Sequence, residues 1–379
     1  MIEEITIQEL AAMEPSACQI IDMRDSTAFA LGHIDGAVLI PQKVLEASHE
    51  NLPKDKTLVI YCRSGILSAD VAEQLREEGY AAVNLVGGYV KWLQEKIRRE
   101  TKNEKAAEVE QGLRKKFHRV IFSRFAKAIK TYDLIQPNDR IAVCISGGKD
   151  SMLMAKLFQE IQRHGKFPFE LVFLVMDPGY SAENRQIIES NAKLLQIPIT
   201  VFETNIFDSV YHVQNNPCYL CARMRRGHLY NKAKELGCNK IALGHHFDDV
   251  IETILMSMIY GGQVETMMPK LHSANFEGMQ LIRPMYLIRE ADIKHWCRYH
   301  DLQFIQCACH FTDTCTTCNN EENRSKRVEI KQLIAKLKLV NPQVEYNIFK
   351  SVENVMLNQV IAYKDDEGRH SFLERFKEE

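Results

Sequence analysis

One stretch limits the fold more than any other: "RIAVCISGGKDSMLMAKLFQEIQ", residues 140–162. A run of five apolar residues reads as a strand buried on both faces. A turn with two adjacent glycines follows, and then an amphipathic helix. A buried strand that turns directly into a helix is the first half of a crossover unit, which calls for a parallel sheet with helices packed on its faces. Other segments repeat the alternation. "ELVFLVM", "PITVFE", "KIALG" and "LQFIQ" read as further strands with helical patterns between them, and a basic amphipathic helix precedes them up to about Tyr132. Before that, "CQIIDM", "AVLI", "TLVIYC" and "AAVNL" read as strands, and "LSADVAEQLREEG" as a helix ending at Gly79. The expected class is α/β throughout, except that the last sixty residues read as helical.

At 379 residues, two or three domains are expected. The division read from the sequence is a sheet domain over 1–95, a charged linker over 96–112, a second α/β domain over 113–340 and a helical extension over 341–379. The net charge of −2 hides an asymmetry. Residues 1–95 hold 7 basic and 15 acidic residues, whereas residues 96–130 hold 12 basic and 4 acidic. The basic stretch reads either as a solvated helical connector or as a surface that attracts phosphates. No apolar run approaches the roughly 20 residues a membrane span needs. The acidic opening "MIEEITIQEL" lacks a signal-peptide core, so a cytoplasmic location without membrane contact is expected.

In a reducing compartment, 11 cysteines favour metal or catalytic roles over disulfides. Cys18, Cys144, Cys238 and Cys297 lie in or beside apolar segments and read as small buried side chains. Cys62, the pair Cys218/Cys221, and Cys307, Cys309, Cys315 and Cys318 ask for another explanation. Cys62 ends the strand in "VIYCRSGILS", where the N–H groups of a loop and of a helix start can cradle an anionic sulfur species. By spacing alone, Cys218-x-x-Cys221 followed by Cys315-x-x-Cys318 has the arithmetic of a four-thiolate zinc site. Arg223, Arg225 and Arg226 follow the first pair, either to meet RNA phosphates or as a plain basic helix face.

The turn Ser146-Gly147-Gly148-Lys149-Asp150-Ser151 has the elements of a phosphate cradle: backbone N–H groups, a helix start and a lysine. It is not the GxxxxGK[ST] pattern. "SGGKDS" resembles the signature of the PP-loop ATP pyrophosphatases, whose fold is Rossmann-type and which expose the α-phosphorus of ATP to attack. The resemblance implies that Ser146, Gly147, Gly148, Lys149, Asp150 and Ser151 hold pyrophosphate, with Met176, Gly244 and His245 (beside His246) near nucleotide or substrate. In "LGHHFDDVIETIL", Asp248 and Asp249 open a helix. Carboxylates favour such a position in any case; the functional reading is Mg²⁺ on Asp248, with Asp249 acting in catalysis.

From "FSRFAKAIKTYDLI" through "CYLCARMRRGHLY" to "MIYGG" and "IRPMYLI", residues 113–338 resemble the tRNA 2-thiocytidine synthetase branch of these enzymes. The resemblance implies a 4Fe–4S cluster on Cys218, Cys221 and one later cysteine, Cys315 in preference to Cys307, leaving one iron without a protein ligand. It also implies tRNA as substrate, C2 of cytidine-32 as acceptor, and a homodimer. "IDMRDSTAFALGHIDGAVLIP", "VIYCRSGILS" and "LVGGYVKW" resemble a rhodanese domain, which implies a persulfide on Cys62 beside Arg63. Leu67 stands where many rhodanese loops carry a second arginine, so a protein persulfide donor such as a cysteine desulfurase is expected rather than thiosulfate. Two rival readings remain at this stage. One is thiolation of a different base or a small molecule; the other is a zinc-stabilised RNA-binding protein with a regulatory rhodanese module.

Overall fold

A computed structural model of the chain describes residues 4–47, 51–99, 102–165, 167–207, 217–305 and 326–376. It divides into two compact units, one of Met1–His246 with Pro269–Asn319 and the other of Phe247–Met268 with Asn320–Glu379.

The first unit begins with β1 (Glu4–Ile5), α1 (Ile7–Ala12), β2 (Cys18–Asp22), α2 (Ser26–Leu31), β3 (Val38–Leu39), α3 (Gln42–Ala47), β4 (Thr57–Tyr61), α4 (Leu67–Glu77), β5 (Ala82–Leu85) and α5 (Gly88–Arg99). Its five strands pair in the order β1-β5-β4-β2-β3, all parallel. Leu58, Val59, Ile60 and Tyr61 of β4 are fully buried, as a central strand covered on both faces requires.

Next comes α6 (Lys102–Arg114), and here the sequence expectation needs correcting. Much of segment 96–112, read as a charged linker, is helical: α5 runs to Arg99 and α6 starts at Lys102. Ala106, Val109 and Leu113 are buried on one side of α6, and Val109 and Leu113 join the same core as the sheets. The charges are engaged as well. Glu110 accepts from Lys156 at 2.7 Å and from Arg163 at 2.6 Å, and Arg114 donates to Glu160 at 2.6 Å. Lys156 is wholly buried, and burial lowers its pKa despite the carboxylate of Glu110.

A π-helical turn (His118–Phe122) leads into α7 (Ser123–Thr131). Then follow β6 (Arg140–Ile145), α8 (Lys149–His164), β7 (Glu170–Asp177), α9 (Ala182–Leu194), β8 (Ile199–Glu203), α10 (Pro217–Glu235) and β9 (Lys240–Ala242). Helix α11 (Phe247–Gly261) belongs to the second unit. The chain returns to the first with β10 (Lys270–His272), β11 (Gln280–Ile282) and α12 (Glu290–Tyr299). The six strands pair as β10-β11-β9-β6-β7-β8, parallel except for β10. Leu302–Ile305, expected as a strand, pairs with no strand among the described residues; Leu302 and Ile305 are buried in the core instead.

The second unit packs α11 with α13 (Lys326–Val340) and α14 (Val344–Ser351). Its tail was expected to be helical. It contains α15 (Phe372–Phe376) but also an antiparallel hairpin, β12 (Ala362–Asp365) with β13 (Gly368–Ser371). Asp365 favours the turn by accepting from the Glu367 N–H at 2.9 Å.

Candidate functional site

The order of the six-stranded sheet sets the location of the first site. The chain leaves β6 for β7 on one side and later returns to β9 on the other, so the strand order reverses between β6 and β9. Ligands of open α/β sheets bind outside the carboxyl ends of the strands at such a switch point. The Ser146–Ser151 loop leaves β6 there, and Gly244 follows β9. A Cβ on Gly244 would stand 3.3 Å from both the Asp150 carbonyl carbon and the Ser151 nitrogen, so the two turns are in close contact.

The loop is held from inside. The Ser151 hydroxyl donates to the Gly148 carbonyl at 2.9 Å and accepts from the Ser146 N–H at 3.1 Å. Gly147 has φ +82°, and a Cβ there would sit 2.5 Å from Ile188 Cγ1. Gly148 caps α8 without a side-chain hydrogen bond, so the first N–H groups of that helix are not capped from within the loop. The Ser146 side chain is exposed. Lys149 Nζ lies 2.9 Å from Asp150 and 3.7 Å from Glu290. Burial works against its charge, but these carboxylates outweigh it and raise its pKa. His246 Nε2 stands 4.0 Å from Asp150 Oδ1. Met176 is buried at the end of β7, in a small cluster with Ile206. The structure therefore brings together Ser146, Gly147, Gly148, Lys149, Asp150, Ser151, Gly244 and His246 around one turn; His245 adjoins them in the chain.

The second candidate is the loop after β4. The Gly65 N–H donates to Cys62 Sγ at 3.2 Å, and the Ser68 hydroxyl lies 3.4 Å from the same sulfur. Ser68 is tied to Asn84 Oδ1 at 2.7 Å, and Asn84 Nδ2 donates back to the Gly65 carbonyl at 3.0 Å. Asn84 thus braces the cradle from the neighbouring strand β5. Gly65 and Gly88 both have positive φ, and a Cβ on Gly88 would strike the Cys62 carbonyl oxygen at 2.6 Å. Ser68, the second residue of α4, is visible in the sequence as the serine that ends "VIYCRSGILS"; nothing local signals Asn84. Ile66 and Leu67 are exposed at the rim.

Cys218 and Cys221 are the second and fifth residues of α10. Cys307, Cys309, Cys315 and Cys318 lie outside the described residues, so the choice among them as later ligands has no structural answer here. Among the described residues no group of three or more His, Cys, Asp or Glu gathers as a metal site. Cys18, Cys144, Cys238 and Cys297 are buried, and burial pushes the thiols of Cys144 and Cys297 up to about 12. Asp248 and Asp249 lie in the first turn of α11, in the second unit. There Asp249 accepts from Arg327 at 2.9 Å. No helix among the described residues is long and apolar enough to cross a membrane.

Residues 117–331 match the family model described as a PP-loop domain, and residues 6–95 match that of a rhodanese-like domain. A protein named tRNA-cytidine(32) 2-sulfurtransferase, from Acaryochloris marina, is 36% identical over 237 residues, covering 62% of this chain and 80% of that protein. This chain belongs to the tRNA 2-thiocytidine synthetase family of PP-loop proteins. Another member of the family, from Anaeromyxobacter sp. strain K and named in the same way, is 30% identical over 273 residues, covering 70% of this chain and 90% of its own. Among solved structures the chain is similar to the U34-tRNA thiolase NcsA from Methanococcus maripaludis with its [4Fe-4S] cluster. The TM-score is 0.48 and the identity 23%, over 61% of this chain and 76% of that one. In this family member the rhodanese domain precedes the PP-loop domain in one chain, and both contribute to one continuous core.

Proposed function

We propose that this sulfurtransferase uses ATP to adenylate a tRNA base carbonyl, C2 of cytidine-32 in the first instance, and replaces its oxygen with sulfur drawn from a persulfide on Cys62. The observation that carries the reading is the Ser146–Ser151 loop. It is an internally braced turn at a switch point, with a half-buried lysine and an uncapped helix start. These groups suit the phosphates of ATP. Adenylation turns the carbonyl oxygen of a pyrimidine, a poor leaving group, into the oxygen of AMP. The terminal persulfide sulfur attacks the carbon, and AMP leaves with the C–O electron pair. A thiol reductant then cleaves the S–S bond, leaving the sulfur on the base and becoming oxidised to a disulfide. On the rhodanese side, the Gly65 N–H donates to Cys62 Sγ, and the Ser68 hydroxyl, now donating to Asn84 Oδ1, lies 3.4 Å from the sulfur and could turn its proton to an anionic sulfur there. Arg63 follows in the loop, and the apolar rim of Ile66 and Leu67 favours a docking protein, such as a cysteine desulfurase, over free thiosulfate.

Mg²⁺ on the phosphates calls for hard oxygen ligands. Asp248, in the first turn of α11, is the residue we assign to the metal, with Asp249 beside it as a catalytic candidate. Asp150 Oδ1, buried and without a hydrogen bond among the described residues, is a further oxygen that suits a cation. For the cluster, Cys218 and Cys221 fit by position. They are the second and fifth residues of α10, at the end of a helix that by its dipole favours anions such as thiolates. Cys315, with Cys307 as the alternative, completes the proposed set. When bound, the cluster supplies an iron open to sulfur.

Two measurements test this. Mass spectrometry of tRNA nucleosides from a deletion strain should show loss of 2-thiocytidine; a different missing thionucleoside would move the acceptor, and an unchanged profile would reject tRNA thiolation. Anaerobically purified protein should be brown, with iron and acid-labile sulfide. Colourless protein with stoichiometric zinc would favour the RNA-binding alternative.

A further inference from the structure

The segment between α6 and β6 carries charges for which the ATP and sulfur chemistry has no use. Residues 115–132, "KKFHRVIFSRFAKAIKTY", hold six basic residues and no acidic one. Phe117, Ile121, Phe125 and Ala128, three or four residues apart, are fully buried and fix the inner side of the segment. Lys115, Arg119, Lys127 and Lys130 are exposed, at intervals of four, eight and three, so they form a row on the outer side. Arg119 to Lys130 spans about 16 Å at about 1.5 Å per residue, long enough to meet several consecutive phosphates of one strand.

A solvated helix face normally mixes its signs, and the preceding helix does so. On α6, Lys105 lies 3.4 Å from Glu108, and Glu110 is shared by Lys156 and Arg163. The row differs: none of its four cations forms an ion pair among the described residues. Lys115 with Arg119, and Lys127 with Lys130, are like charges one turn apart, which destabilises a helix. A polyanion bound from outside would remove that repulsion.

The row runs beside α12. Arg124 turns inward and donates to Asp292 at 3.2 Å, and Phe117 meets the rings of His295 and Tyr299 edge-on at 5.2 and 5.6 Å. Lys116 Nζ sits 3.5 Å from the centroid of the Tyr299 ring. Also on α12, Lys294 and Arg298 line a cavity of about 100 Å³ that Gly148, Lys149 and Asp150 line as well. Positive charge therefore continues from the row to the PP loop.

We infer that Lys115, Arg119, Lys127 and Lys130 seat the phosphate backbone of the tRNA beside the nucleotide loop. This rests on the reading of tRNA as substrate. RNA suits the row better than a lipid surface does. Segments that lie on membranes set large apolar side chains beside their cations; among the described residues, no large apolar side chain between Leu67 and Phe167 is exposed. Contacts to phosphate set affinity and register, and leave the choice of base to other groups.

The experiment measures binding of an unmodified tRNA transcript with cytidine at position 32 to the full-length, anaerobically purified protein. Fluorescence anisotropy reads the affinity from about 50 to about 200 mM salt. The test variant combines Lys115→Gln, Arg119→Gln, Lys127→Gln and Lys130→Gln. The control combines Lys43→Gln, Lys54→Gln, Lys91→Gln and Lys193→Gln, which removes the same charge at exposed positions elsewhere. Each phosphate contact adds roughly 0.7–0.9 to the slope of log affinity against log salt, so four lost contacts should lower it by about 3. Over that fourfold rise in salt the wild type should lose roughly 50–150 times more affinity than the test variant, and the control should follow the wild type. ATP affinity, read by calorimetry, should stay within about twofold in both variants; a loss as large as that for tRNA would make the effect structural and overturn the inference. If the wild type binds tRNA and the test variant matches it in affinity and slope, the tRNA reading stands and this inference fails. If the wild type binds no tRNA, both fail together. Vesicles of phosphatidylglycerol and phosphatidylcholine are the rival probe: vesicle binding lost in the test variant, with tRNA binding intact, would assign the row to a lipid surface instead.

Discussion

Gly147→Ala gives the clearest quantitative test of the PP loop. At φ +82° an L-residue pays roughly 1–2 kcal/mol for the left-handed conformation. The new methyl would also lie 2.5 Å from Ile188 Cγ1 and 2.8 Å from Ile305 Cδ1. Both neighbours are buried, at 1% and 8% exposure, so neither can swing into solvent. Overpacking of this kind costs about 1–3 kcal/mol. The two effects together give about 2–5 kcal/mol. A loss of ~3 kcal/mol in a domain of this size lowers Tm by roughly 6–12 °C. Gly148→Ala is the internal control. Its φ is −80°, and the nearest atoms to an added Cβ are 3.6 and 3.7 Å away, so its effect on stability should stay within about 0.5 kcal/mol. Scanning calorimetry of the two variants beside the wild type gives the comparison. Equal Tm values for Gly147→Ala and the wild type, or equal losses for both variants, would refute the loop geometry described here.

Two further outcomes are expected. Ser68→Ala deprives Asn84 Oδ1 of a buried donor and should cost about 1–3 kcal/mol. It should also slow thiolation driven by a protein persulfide donor more than thiolation driven by free sulfide; equal slowing would count against a role at Cys62. His300 is buried, and burial lowers its pKa although its Nδ1 is paired with Glu108 at 2.9 Å. The unfolded chain therefore binds the proton more readily, so stability is present above the unfolded value of about 6.5 and is lost as pH falls below it. Tm measured between about pH 7.5 and 5.5 should drop more for the wild type than for His300→Gln; parallel curves would exclude His300 as the cause.

What the sequence disclosed and what it withheld follow from the range of the forces involved. "RIAVCI" reads as a strand because a strand covered on both faces must be apolar along its length, and it is strand β6 residue for residue. The turns at Cys62 and Ser146–Ser151 are equally legible, since a tight strand-to-helix turn needs glycine at Gly65 and Gly147 wherever φ is positive. Helix α6 was not legible as part of the core. Only Ala106, Val109 and Leu113 mark its buried side, and the partners of its charges, Lys156, Glu160 and Arg163, lie some fifty residues on. Strands β10 and β11 have three residues each, too few for a period to show. "LQFI" has the right residues for a strand, yet it is buried against the loop and core without joining the sheet.

The same division runs through the sites. Cys62 and Lys149 occupy strand-end turns whose backbone shape is written in neighbouring residues. The groups that serve them are brought in by the fold. Asn84 reaches the Cys62 loop because β5 lies beside β4, with Asn84 opposite Ile60. Lys294 and Arg298 reach the Lys149 cavity because α12 packs against α8. Reading "ADIKHWCRYH" as an amphipathic helix identifies Ile293, Trp296 and Cys297 as its buried side but leaves open what its cations face. Only the sheet order, which returns the chain to β11 before α12 begins, turns those cations toward the loop of β6. Residues that bear the chemistry can therefore be found from local constraint, whereas residues that position it become visible only once long-range strand pairing is known.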